Sequence, residues 1–126
     1  MKKAIILTII LLLILSAGIS EHFFVHKTFD RFKEQTRSIE NAINEDDIET
    51  AMEKSEALLD WWNKKRVVIE AISYCQDARQ VNVVIGEMIG SLKCGDIENA
   101  SSKIVSLNEL TDNIRDILDF NAIDII

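Results

Sequence analysis

Seventeen consecutive residues without a charge, Ala4 to Ser20, constrain this chain more than any other feature. The run is dominated by Ile and Leu and follows directly on Lys2 and Lys3. As a helix it measures about 25 Å, enough to cross a ~30 Å hydrocarbon core where the bilayer thins locally. Exposing so much aliphatic surface to water is unfavourable, so lipid or a translocon is expected to receive it. Residues 1–20 are therefore predicted to be a transmembrane anchor or uncleaved signal. The alternative is a cleaved signal peptide, cut after Gly18 in Ser16-Ala17-Gly18. Phe23 and Phe24 just beyond the run fit an interfacial aromatic position, and a helical pattern continues toward Phe32, which favours retention. Only three residues precede the span, and large C-terminal domains translocate largely regardless of charge. The expected location is the cell membrane, single-pass, with residues 21–126 extracytoplasmic.

Past the anchor, twelve Lys and Arg face twenty-one Asp and Glu, a net charge of −9. Nucleic acid requires a basic face to displace counterions, so it is excluded as a partner. Docking of this acidic part on anionic lipid is excluded for the same reason. The chain has no Pro and four Gly, which argues for long helices over a turn-rich sandwich.

Two stretches 49 residues apart then organise the remainder. Asp47-Ile48-Glu49-Thr50-Ala51-Met52-Glu53-Lys54, with Leu58, matches Asp96-Ile97-Glu98-Asn99-Ala100-Ser101-Ser102-Lys103, with Leu107. Upstream, Ile39 and Ile43 align with Met88 and Leu92. Each copy reads as helix, tight turn, helix, similar to the hairpin of tetratricopeptide-like repeats, but two copies are too few for a solenoid. Asp46, with Glu49 three residues on, is expected to cap the second helix, and Gly95 stands in the equivalent place before Glu98. Apolar stripes supply four helices. Their stripe positions are Phe29, Phe32, Thr36, Ile39 and Ile43; Ile48, Ala51, Ser55, Leu58, Trp62, Lys65 (a charged interruption) and Ile69; Tyr74, Ala78, Val81, Ile85, Met88 and Leu92; and Ile97, Ala100, Ile104, Leu107, Thr111, Ile114 and Leu118. Ser73-x-x-Gln76 is a capping-box pattern that separates the second helix from the third. Short connections near 44–46, 72–73 and 93–95 force neighbours antiparallel. The predicted fold is all-α: an N-terminal transmembrane helix followed by a small antiparallel four-helix bundle of two duplicated helix-turn-helix hairpins, about 28–72 and 73–120.

Few residues offer chemistry. His22 and His26 share a helix face, but two ligands fall short of the three or four a zinc site needs, and Glu21 points elsewhere. No metal and no cofactor is expected. Cys75 and Cys94, about 28 Å apart on one helix, cannot pair with each other within a chain; buried thiols are expected, with an intermolecular bond as the alternative. Gly86-x-x-x-Gly90 is expected to allow tight packing within the bundle, since the motif drives dimerisation only inside an apolar span. Lys64-Lys65-Arg66 reads as a solvated face flanked by Asp60 and Glu70. Trp61 and Trp62 point about 100° apart, so one ring continues the core stripe and Trp61 falls with Ala57, Lys64 and Val68 on a flanking face. Trp61 is then either a second-seam core residue or an exposed aromatic anchor for a partner. With Ile123, Ile125 and Ile126 of the apolar tail, it forms the set of candidate partner-binding residues. There is no Ser/His/Asp set, no phosphate-cradling glycine loop and no calcium loop, so no enzymatic activity is expected.

The order of these elements resembles a bacterial domain-of-unknown-function family, numbered four-three-six-three, of short membrane-anchored proteins. The resemblance rests on Met1-Lys2-Lys3 with the apolar run, on Asp46 to Ala51, on Trp61 and Trp62, and on the tail from Phe120 to Ile126. It implies a helical, membrane-anchored protein and transfers no catalytic residue. Where the family usually has a His/Asp-rich cap between the second and third helices, this chain has Ser73-Tyr74-Cys75-Gln76. The expected function is an interaction or scaffolding module that binds another envelope or membrane protein. The alternative is a sensory or small-ligand-binding bundle coupled to the membrane helix.

Overall fold

The structure, a computed structural model, describes the backbone of residues 1–72 and 76–125, with side chains for residues 1–71 and 76–119. It is built from four helices: α1 (Lys2–Asn44), α2 (Ile48–Ile72), α3 (Asp77–Cys94) and α4 (Ile97–Ile125). There is no strand among the described residues.

α1 changes environment along its length. Residues 2–20 are exposed, and Ile5 to Leu15 leave about half or more of each large apolar side chain uncovered. From Val25 onward the same helix buries Phe29, Phe32, Ile39 and Ile43. Each of the four helices packs against two others: α1 on α2 and α4, α3 on α2 and α4. The cross-helix partners fall in number as α1 rises. On the α2 side, Phe24 meets Lys65, Phe29 meets Trp62 and Ser38 meets Lys54. On the α4 side, His26 meets Asp119, Lys33 meets Asp112 and Thr36 meets Asn108.

Among the described residues the stripe positions are buried except Ile48, Lys65 and Ile97, which are partly covered, and burial extends beyond the stripes to Val25, Thr28, Ala42, Val84, Ile89 and Ser91. Three described stripe positions are polar and uncharged, Thr36, Ser55 and Thr111, and all three are buried. Their hydroxyls donate back to helix carbonyls: Thr36 to Lys33 at 2.9 Å, Ser55 to Ala51 at 2.7 Å and Thr111 to Leu107 at 3.0 Å. Local bonding of this kind removes the penalty of burying an unpaired hydroxyl.

The centre of the core is aromatic. Trp62 is fully buried, with the Phe32 ring edge-on at 5.4 Å and Phe29 at 6.2 Å. Its indole Nε1 donates to the Ala78 carbonyl at 3.0 Å, so one side chain on α2 touches α1 with its ring and α3 with its N–H. Ala78 and Val81 on α3 occupy the places equivalent, 49 positions on, to Phe29 and Phe32 on α1. Small residues there leave room for the indole.

The α1–α2 and α3–α4 connections are constructed identically, and they correct one detail of the sequence reading. Asp46 does not cap α2. It sits in the left-handed region at φ 62°, as Gly95 does at φ 77°. In the first turn the amide of Asp46 donates to Ile43 at 3.0 Å and that of Asp47 to Ala42 at 2.9 Å. In the second, Gly95 donates to Leu92 at 3.2 Å and Asp96 to Ser91 at 2.9 Å. This is the Schellman closure, in which a left-handed residue turns the last orphan carbonyls of a helix onto the next two amides. The capping role passes to the following residue: Asp47 accepts from the Thr50 amide at 3.3 Å, and Asp96 from the Asn99 amide at 3.1 Å. The Thr50 hydroxyl also donates to Asp47 at 2.7 Å, and these bonds hold the Asp47 carboxyl below its ordinary value. The α2–α3 connection differs as well. α3 starts at Asp77, so Gln76 precedes the helix and makes no side-chain cap bond, while Ser73 and Tyr74 lie outside the described residues.

Two stability outcomes follow from these contacts. Asp46→Gly is expected to raise stability by about 0.5 kcal/mol, because Gly adopts φ > 0 without a Cβ penalty, whereas Gly95→Ala should cost about 1–2 kcal/mol. Denaturant melts of the full chain in detergent, read by helical circular dichroism, should give these opposite signs. In the same assay Trp62→Ala should cost about 3–5 kcal/mol, and Trp62→Phe, which mainly loses the bond to Ala78, a smaller amount near 1 kcal/mol.

Candidate functional site

Two regions gather the residues with something to offer a partner or ligand. The first is the outer face of α2. Ala57, Lys64 and Val68 are exposed there, with Val67 beside them at 63% exposure. Trp61 lies in the same strip but is half-buried, packed against the core with its ring 6.4 Å from Phe32. The bundle covers the indole only in part, and its strip neighbours Lys64 and Val68 are exposed. Of the basic triplet, Lys64 is exposed, Lys65 lies over the Phe24 ring at 5.5 Å, and Arg66 approaches Glu70 at 3.8 Å. Phe23, in contrast with Phe24, is 71% exposed. Ile123 and Ile125 fall within the last turns of α4, where the backbone alone is described, and Ile126 lies outside the described residues.

The second region is the seam between α1 and α4. Four polar contacts climb it in register: His26–Asp119 at 3.6 Å, Asp30–Arg115 at 3.8 Å, Lys33–Asp112 at 2.9 Å, and Thr36 donating to Asn108 at 3.1 Å. At its lower end the His22 and His26 rings meet edge-on, 4.3 Å between centroids. One ligand atom from each of His22, His26 and Asp119 lies within 4.8 Å of the other two. The i, i+4 histidines are visible in the sequence. Asp119 is not, because its place depends on the pairing of helices 93 residues apart.

Two further expectations are corrected. Gly86 and Gly90 are both exposed, and a Cβ at either would meet nothing, so the glycines provide no close packing within the bundle. The stripe through Val81, Ile85, Met88 and Leu92 turns them outward. Cys94 is an exposed free thiol, since the last turn of α3 directs it away from the core side occupied by Ser91 and Leu92. Cys75 lies outside the described residues.

A cleft of about 470 Å³ runs between α3 and α4, lined by residues that include Gln80, Glu87, Lys103 and Asn113, and it opens to solvent. A smaller one, about 250 Å³, lies beside Lys33, Thr36, Arg37, Glu40 and Asn108.

These features define an all-helical domain on a long apolar N-terminal helix. The family model of the domain of unknown function DUF4363 matches residues 20–125, and the chain belongs to that family. No curated protein and no solved structure matches it.

The position of Cys94 gives a direct check. It should react with a maleimide in the folded protein at the rate of an open thiol, and Cys94→Ser should abolish that fast phase in mass spectra of the intact chain.

Proposed function

We propose that this chain is a non-enzymatic, single-pass protein of the bacterial cell envelope. In this reading residues 4–20 span the membrane. Residues 21–126 form an extracytoplasmic, antiparallel four-helix bundle of two related hairpins that docks another envelope or membrane protein. The carrying observation is the division of α1. Residues 4–20 are uncharged and bare, and the same helix becomes a core element from Val25 onward. A helix long and apolar enough to cross a bilayer that buries none of its apolar stretch has a natural place in lipid.

The descending contacts of α1 with α2 and α4 support the antiparallel arrangement, and the shared turn chemistry supports the two-hairpin origin. Lys54 donating to Ser38 recurs 49 positions on as the Lys103–Glu87 ion pair at 2.6 Å. The outer face of α2 is the favoured docking surface, because it combines Val67, Val68 and the free edge of Trp61. Aromatic residues with one edge exposed are the usual anchors of such contacts. A second reading, a ligand sensor, draws on the α3–α4 cleft, whose volume lies in the range of small-molecule sites. Its openness and the Lys103–Glu87 pair within it favour solvent as the occupant.

Two measurements test the proposal. A reporter active only in the cytoplasm, fused after Ile126, should be silent, and activity would reverse the topology. A photoreactive residue at Val68 should crosslink the full-length chain to one protein in membranes. Trp61→Ala should reduce that product while costing only about 1–2 kcal/mol of stability. An undiminished crosslink would remove Trp61 from the interface.

A further inference from the structure

We propose that His22, His26 and Asp119 form a binding site for a divalent transition ion, foremost Zn²⁺, that clasps the last turns of α4 to the middle of the long helix. The site is independent of the partner-docking reading above.

Three observations carry it. The histidines stand four residues apart on one face of α1, the spacing that lets two imidazoles share an ion on a helix. A carboxylate comes to the same point from a different helix: the Asp119 Oδ1 is 3.6 Å from the His26 Nε2. Neighbouring ligand atoms around a tetrahedral zinc are about 3.4 Å apart, given bonds near 2.0–2.1 Å, so this pair is already at ligand spacing. All three ligand atoms fall within 4.8 Å of one another, and side-chain rotation at the half-exposed His26 and Asp119 and the exposed His22 closes the remainder. Finally, the surroundings admit a cation. His26 and Asp119 keep 41% and 37% of their side-chain surface open, and the part of the chain beyond the apolar run carries a net charge of −9.

The donor set selects the metal. Two imidazole nitrogens with one carboxylate suit zinc and its first-row neighbours, while calcium and magnesium prefer all-oxygen shells. Three protein ligands leave a fourth position for water. Without an ion the contact is one histidine–aspartate pair at the surface, and pairs of that kind contribute little. With an ion, α4 is tied to α1 two turns beyond the apolar run, at the level where Val25 begins the core.

The test uses the full-length chain without a polyhistidine tag, in detergent micelles, stripped with a chelator. Calorimetric titration with Zn²⁺ should give one ion per chain, and Co²⁺ should develop visible d–d bands that Zn²⁺ bleaches. His22→Ala leaves the His26–Asp119 contact in place, so a plain ion pair would not feel it. As a ligand loss it should weaken Zn²⁺ binding by at least about tenfold. Asp119→Asn should do the same, and Asp116→Asn, outside the cluster, should not. Absence of Zn²⁺ binding, binding unchanged in His22→Ala and Asp119→Asn, or one ion per two chains would each overturn the site. His22 is exposed, so its variant remains folded and decides the matter even if Asp119→Asn perturbs α4.

Discussion

One indole holds three helices in place. The Trp62 side chain projects from α2, lays its ring against Phe29 and Phe32 of α1, and closes with a hydrogen bond to the Ala78 carbonyl of α3. Burial of so large a ring supplies the main apolar contribution of any single residue here, and the bond fixes its orientation. The smallness of Ala78 and Val81 makes sense only around it. The equivalent place on α4 holds Thr111, a compact residue whose hydroxyl is satisfied by its own helix. The two halves of the chain therefore share turns and stripes but divide the volume of the core unequally. That inequality gives the helices a preferred set of neighbours, which a symmetric pair of hairpins would lack.

Much of the fold was legible because periodicity is a local property. Every described stripe residue from Phe29 to Leu118 lies against the core or at its margin, and the 49-residue repeat located both tight turns. The errors have local physical causes. Asp46 and Asp47 are both good caps by residue type, and only the backbone shows that the first is spent on a left-handed turn while the second accepts the Thr50 amide. Gly86 and Gly90 carry a spacing that means close approach in a membrane helix, yet they fall outside the stripe that the same helix announces. Cys94 is of a residue type usually buried, but its position one turn beyond the exposed Gly90, on the outer side, overrides the type.

The candidate sites divide along a different line. Trp61 was readable as an either-or, and its ring is half-buried, packed on the core at 6.4 Å from Phe32. The His22–His26–Asp119 group was half readable, since a helical spacing shows in sequence and a contact between α1 and α4 does not. A register shift of one turn along that seam would separate Asp119 from His26. The three polar contacts above it, from Asp30–Arg115 to Thr36–Asn108, lie in that register, which the buried stripes of α1 and α4 set.

α1 is a single unbroken helix of 43 residues, about 64 Å from end to end, in a chain without proline. Such a rod behaves as a lever and a drive shaft. Tilting its bare end by 10° displaces the other end by about 11 Å, and rotating it about its axis turns the Phe29–Ile43 stripe by the same angle. The bundle is built around the far half of this shaft, so it cannot absorb either motion by bending at a joint. Movement of the apolar end therefore carries Trp62, the α1–α4 seam and the packed helices with it. Whatever grips residues 2–20 thereby sets the orientation at which the outer face of α2 is presented.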